Sequence, residues 1–142
     1  MMPNEYLYKR GRDFDWGYYK EDTTIQKGIV NGFVSEYEKF RRTGRGLYIC
    51  SKTKGSGKTL LACCLANEII EKYSAVVKFC SVIDYIEFVK DKNDEAKEMI
   101  NSFRKCGLLV VDDIGVQTEK QDWIINSIFS LVDYRYRENL PT

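Results

Sequence analysis

A chain of 142 residues with 44% hydrophobic content can bury the core of one domain but not comfortably of two. Its 22 basic and 21 acidic residues leave a net charge of +1, so any attraction to nucleic acid must come from local patches rather than the overall field. The absence of histidine excludes a Cys/His zinc site and Ser-His or Cys-His catalysis, which leaves carboxylates, lysine, hydroxyls or a bound cofactor to carry any chemistry.

The opening MMPNEYLYKRGRDFDWGYY has no apolar stretch of signal-peptide length, and the longest strongly aliphatic run, LLVV at 108–111, is far short of a membrane span. The chain reads as cytoplasmic, with no membrane partner. From Thr24 to Arg42, Ile25, Ile29, Phe33, Tyr37 and Phe40 fall at helical spacing and predict one amphipathic helix, stopped by TGRG at 43–46. LYIC at 47–50 has the apolar run of a buried strand, and TLLACCLANEIIEKY at 59–73 is a helix without a breaker. AVVKFC at 75–80 predicts a second strand, and Ser81 with Asp84 resembles a capping box opening a helix through Val89. A helix over 94–106 would put Ala96, Met99, Ile100 and Phe103 on one face before Gly107 breaks it. LLVVDD at 108–113 is an aliphatic strand ending in two carboxylates, and Thr118 with Gln121 can cap a long helix bearing Ile125, Ile128, Phe129 and Val132. Strands alternating with helices argue for a parallel α/β sheet covered on both faces. The five cysteines, with no C-x-x-C spacing, read as reduced and mostly buried packing residues.

Between the first strand and its helix lies SKTKGSGKT, residues 51–59. It fits the phosphate-loop pattern G-x-x-x-x-G-K-[ST] at Gly57, Lys58 and Thr59, while Lys52 stands where the first glycine usually is. That position lies where the chain leaves the sheet, so a side chain there can reach solvent. A glycine-lysine cluster alone is also a simple turn, and a strand ending in two aspartates is often only a polar strand end. In order, with a strand-helix-strand unit between them, they point to a nucleotide site. Lys54, Gly55, Ser56, Gly57, Lys58, Thr59 and Leu60 would hold the phosphates, with backbone N–H groups and the helix N-terminus supplying positive potential. Lys58 would reach the β- and γ-phosphates, and Thr59 with Asp112 would hold Mg²⁺. Asp113, one step further, is the candidate general base for the attacking water.

The stretches KGSGKTLLACCLANEI and LLVVDDIGVQTE are similar to the Walker A and Walker B regions of bacterial helicase-loader ATPases of the DnaC/DnaI type. RDFDW at 12–16 and YRYRENLPT at 134–142 resemble the segments flanking the core in those proteins. The resemblance covers the chain from about Arg12 onward. It implies an α/β P-loop NTPase of the AAA+ type, with a three-layer parallel sheet. Residues 1–22 would be an N-terminal lead-in and residues 23–142 a partial nucleotide-binding core. It further implies ATP and Mg²⁺ as cofactors, ATP hydrolysis, and a replicative ring helicase and single-stranded DNA as partners. Homo-oligomerisation is implied for the complete protein.

The resemblance implies a strand order of 5-1-4-3-2. The chain would then stop at Thr142 before strand 4, sensor 1, the arginine finger and the lid, and an N-terminal helicase-gripping domain is not evident. The expectation is a gap between the strands at 47–50 and 108–112, or a direct pairing foreign to the family, with little turnover from this chain alone. Transposition helper ATPases share both motifs and are the nearest alternative function; a nucleotide-binding chain without turnover is another. A small-molecule kinase fits less well, because kinases usually lack the paired carboxylate.

Three further features have two readings each. Lys39, Arg41, Arg42 and Arg45 either touch nucleic-acid phosphates or complement a helix end, and the second is expected. Arg135 and Arg137, interleaved with Tyr134 and Tyr136, read as solvated charges above partly packed tyrosines rather than a stacking platform. Phe14 and Trp16 either line an adenine pocket or pack in the core.

Overall fold

The computed structural model describes residues 2–115 and 122–142. The predicted cap at Thr118 and Gln121 lies outside the described residues. Three short 3-10 turns, Asn4–Tyr6, Gly11–Asp13 and Trp16–Tyr18, lead into α1 (Thr24–Ser35) and α2 (Tyr37–Thr43). After the glycine-rich loop come α3 (Lys58–Tyr73), β1 (Val77–Ser81), α4 (Val82–Lys90), α5 (Asp94–Lys105), β2 (Leu108–Asp112) and α6 (Asp122–Arg137).

The helix expected over 24–42 is two helices. Glu36 leaves helical geometry at φ −110° and ψ 23°. The carbonyls of Val34 and Ser35, which a continuous helix would pair four residues on, instead lie 2.7 and 2.8 Å from the Tyr73 hydroxyl of α3. The break turns Tyr37 fully inward beside Phe33, whereas Ile25 and Ile29, expected on the buried stripe, are exposed. Gly44 ends α2 in the left-handed region at φ 64°, as TGRG predicts.

β1 and β2 pair in parallel, from Val77 opposite Leu108 to Ser81 opposite Asp112. Successive residues of β2 face opposite ways. Leu108 packs with Phe33, Tyr37 and Ile69 under α1–α3, and Leu109 packs with Tyr85, Phe103 and Leu131 under α4–α6. Two strands thus carry helix layers on both faces. Caps place the helices between them: Ser81 Oγ accepts from Asp84 N at 3.0 Å, as predicted, and Asn93 Oδ1 accepts from Ala96 N at 2.8 Å.

The strand expected at Leu47–Cys50 has no ladder partner among the described residues, and Tyr48 and Cys50 are exposed. A strand needs a neighbour to take its amides, and β2 does not reach it. On that side of β2, Leu109 N donates to Pro141 O at 3.2 Å, and Gly46 lies directly against the Thr142 backbone. The gap between the two strands is therefore present, with residues 141–142 touching both sides.

On α6 the buried face is Ile124, Ile128, Leu131 and Arg135, while Ile125, Phe129, Val132 and Tyr136 are exposed. Arg135, expected as a solvated charge, is fully buried. Its guanidinium lies within hydrogen-bond distance of the carbonyls of Phe103, Arg104, Cys106 and Pro141 and of Thr142 Oγ1. It closes the C-terminal end of α5, where carbonyls lack intrahelical partners. Arg137 does stay exposed, paired with Asp133 at 2.7 Å.

Candidate nucleotide-binding site

The loop at 51–57 leads directly into α3, whose first residue is Lys58. Two of its glycines adopt the left-handed region, Gly55 at φ 69° and Gly57 at φ 77°. A non-glycine residue is strained there. Gly57 also caps the helix, its carbonyl accepting from Leu61 N at 2.8 Å, and a Cβ on it would come within 3.2 Å of both Phe14 and the Tyr19 hydroxyl. Lys58 Nζ stands 3.3 Å from Ser56 Oγ and 3.4 Å from Thr53 O, so the ammonium lies over the loop itself. Ser56, Gly57, Lys58, Thr59 and Leu60 are half-buried, and Lys52 and Lys54 are exposed. Lys52 thus reaches solvent from the position where a glycine is usual.

The two motifs meet at one contact. Thr59 Oγ1, in the first turn of α3, donates to Asp112 Oδ2, at the end of β2, at 2.7 Å. A hydroxyl and a carboxylate converging beside a phosphate loop form the oxygen donor set that suits Mg²⁺, which takes one or two protein oxygens and completes its shell with water and phosphate. Among the described residues no cluster of three or more acidic or cysteine side chains offers an all-protein metal cage. Asp113 is exposed one residue beyond the strand, with its backbone in the left-handed region at φ 58°. The structure therefore brings Lys58, Thr59 and Asp112 together at the loop, while Asp113 makes no contact with it among the hydrogen bonds of the described residues.

The two thiols on α3 are buried. Burial, and then the nearby Asp112 carboxylate, pushes the Cys63 thiol up to about 12. Burial likewise pushes Cys64 up to about 11.

Sequence reasoning missed how the N-terminal residues bear on α3 and its loop. The Asn67 side-chain amide donates to Tyr6 O at 2.9 Å and Lys9 O at 2.8 Å, and Arg10 Nη1 donates to Asn67 O at 2.9 Å. Gly11 N donates to Glu68 Oε1 at 3.0 Å, and Arg10 pairs with Glu71. A polar Asn67 among the apolar residues of α3 was the available signal, since a buried amide requires partners. Beyond this strap, Phe14 is buried edge-on to Trp16, with ring centroids 4.8 Å apart, and Tyr19 donates to Ser56 O at 2.6 Å. Phe14 and Trp16 also line a cleft of about 240 Å³ with residues of α1 and α3.

The basic cluster of α2 is engaged locally. Lys39 pairs with Glu36 and Arg41 with Glu38, both three residues apart on the helix surface, and Arg41 and Arg42 occupy its last turn. This is the helix-end placement expected for cations.

Residues 39–140 match the family described as IstB-like ATP binding protein. The chain belongs to that family. It is 30% identical over 120 residues to the replicative helicase loader DnaI of Bacillus subtilis (strain 168), a match covering 80% of this chain and 36% of the relative. It is 34% identical over 101 residues to the replicative helicase loader DnaC of Escherichia coli (strain K12), covering 67% of this chain and 40% of that one. The chain thus spans well under half the length of these relatives. A crystal structure of DnaI superposes with a TM-score of 0.78 at 29% identity, over all of this chain and 73% of that one. The α/β P-loop fold of the AAA+ type and the likeness to helicase loaders agree with the reading of the two Walker stretches.

Proposed function

We propose that this IstB-like chain binds ATP with Mg²⁺ through the loop at 54–60 and serves as the nucleotide-binding core of a replicative helicase loader. The contact between Thr59 and Asp112 carries the reading, because it brings the phosphate loop and the acidic strand end to one point, as a nucleotide triphosphate and its metal require. Lys54, Gly55, Ser56, Gly57 and Leu60 line the turn by which loop amides and the N-terminus of α3 favour phosphate oxygens. Lys58 adds a point charge on those oxygens, and Thr59 with Asp112 would hold the metal. When bound, Mg²⁺ supplies neutralising charge to the phosphates. For hydrolysis we assign Asp113, exposed and next in the chain to Asp112, as the residue that orients and deprotonates water.

DnaI and DnaC are replicative helicase loaders, which supports a replicative ring helicase as partner; single-stranded DNA, homo-oligomerisation and action in the cytoplasm belong to the same proposal. Among the described residues no helix is long and apolar enough to cross a membrane. Residues 1–22 form the lead-in and residues 23–142 the nucleotide-binding core in this proposal.

The test is binding of a fluorescent ATP analogue with and without Mg²⁺ to the wild type and to Lys58→Ala, followed by co-sedimentation with the replicative helicase from the same source. Saturable Mg²⁺-dependent binding that falls at least about tenfold in the variant is expected, since a charge-assisted bond is being removed. Equal binding by both proteins would refute the loop assignment, and nucleotide binding without helicase capture would remove the loader role.

A further inference from the structure

Tyr19 lies 37 positions before Ser56, yet its hydroxyl donates to the Ser56 carbonyl at 2.6 Å, the one polar contact between the N-terminal aromatic cluster and the phosphate loop among the described residues. We propose that Tyr19 is a positioning residue for phosphate binding: by holding the Ser56 carbonyl outward it turns the Gly57 N–H toward the phosphate cradle. This rests on the nucleotide-binding reading above.

In a trans peptide the carbonyl of one residue and the N–H of the next point in opposite directions within one rigid plane. No cis peptide occurs among the described residues, so fixing the Ser56 carbonyl fixes the Gly57 N–H on the other side of the plane. Glycine-rich loops are otherwise free to flip such a plane, because glycine has comparable access to both signs of φ. Gly57, at φ 77°, is such a residue, and a second left-handed glycine stands on the other side of Ser56 at 55.

The hydroxyl is itself held in place. Tyr19 stacks with Phe14, ring centroids 6.1 Å apart at 23°, and Phe14 is 7% exposed. Trp16 packs against both rings and carries Lys27 over its face at 5.9 Å. Upstream, Asn67, Glu68 and Glu71 fasten the same segment to α3, the helix that the loop opens into. The aromatic cluster and the loop are therefore fixed to one rigid body, and the only polar group the cluster directs at the loop meets the carbonyl next to Gly57. A residue needed only for packing would not require its hydroxyl, since phenylalanine fills the same ring volume.

Tyr19→Phe is the deciding variant. In the full chain labelled with ¹⁵N, it is expected to shift the Gly57 amide resonance and speed its hydrogen exchange without ligand present, while the melting temperature stays within about 2 °C of wild type. With Mg²⁺ present, affinity for ATP and ADP should fall roughly three- to tenfold, while the much weaker binding of adenosine, which has no phosphates, stays the same. An unchanged Gly57 amide, or ATP affinity equal to wild type, would overturn the proposal. The two readings separate cleanly: loss of ATP binding in the wild type refutes the nucleotide site, whereas wild-type binding undiminished in Tyr19→Phe refutes only the role of Tyr19.

Discussion

Thr59 and Asp112 are 53 positions apart in the chain and 2.7 Å apart in space. This contact fixes the start of α3 to the end of β2. Its consequence for binding is specific: Asp112→Asn keeps the size and a hydrogen-bond acceptor but removes the charge that would hold a divalent cation. The variant should retain metal-free ATP binding and lose most of the gain that Mg²⁺ gives, about tenfold or more in affinity. Isothermal titration across a Mg²⁺ series measures this directly, and an unaltered metal dependence would place the ligand elsewhere.

Arg135 sets the second prediction. Its guanidinium is fully buried, and its hydrogen-bond partners are backbone carbonyls, the Thr142 hydroxyl and the Cys106 thiol, with burial lowering its pKa. Arg135→Leu would take the guanidinium donors from the carbonyls of Phe103, Cys106 and Pro141 in a closed site, where Pro141 O keeps only Leu109 N and Phe103 O only the weak Cys106 thiol. A loss of about 3 kcal/mol or more of folding stability is expected in urea denaturation. Arg135→Lys should recover only part of it, because an ammonium lacks the planar fork that reaches several carbonyls at once. A loss below about 1 kcal/mol for the leucine variant would show that water takes over those carbonyls.

The thiols give the third. Cys63, Cys64, Cys80 and Cys106 are buried and Cys50 is exposed, so a water-soluble thiol reagent at pH 8 should modify Cys50 rapidly and the other four only after unfolding. Burial raises the folded values from 9.0 to about 12 for Cys63 and Cys80 and to about 11 for Cys64. Between pH 9 and 12 the unfolded chain therefore binds fewer protons than the folded one. Stability should be fully present below pH 9 and fall as the pH rises through that window. Urea midpoints at pH 8, 9.5 and 10.5 test the sign; a rise with pH would contradict the burial of these groups.

Much of the candidate site was legible because its code is local. Glycine at 55 and 57 suits the left-handed backbone there, lysine at 58 and threonine at 59 are the residues the proposed phosphate chemistry would use within the same turn, and an aliphatic run ending in Asp112 needs only to be a strand to present that carboxylate. Capping was local too, and Ser81 formed the cap its spacing indicates.

What the sequence by itself determined, then, is the set of elements whose signal fits within one helix or one loop: α3 and its phosphate turn, β2 and its acidic end, and the α/β order that relates them. The tertiary structure alone decided the rest. On α6, the rows 124, 128, 131, 135 and 125, 129, 132, 136 have the same helical spacing, and only packing against α4, α5 and the sheet selected the first, taking Arg135 inside with it. Helix period defines faces without saying which one meets a neighbour. Leu47–Cys50 has strand composition, but a ladder is a property of two segments, and no described neighbour takes its amides. The break at Glu36 and the hold of Tyr19 on Ser56 likewise depend on hydroxyls brought in from distant parts of the chain, contacts that no local pattern encodes.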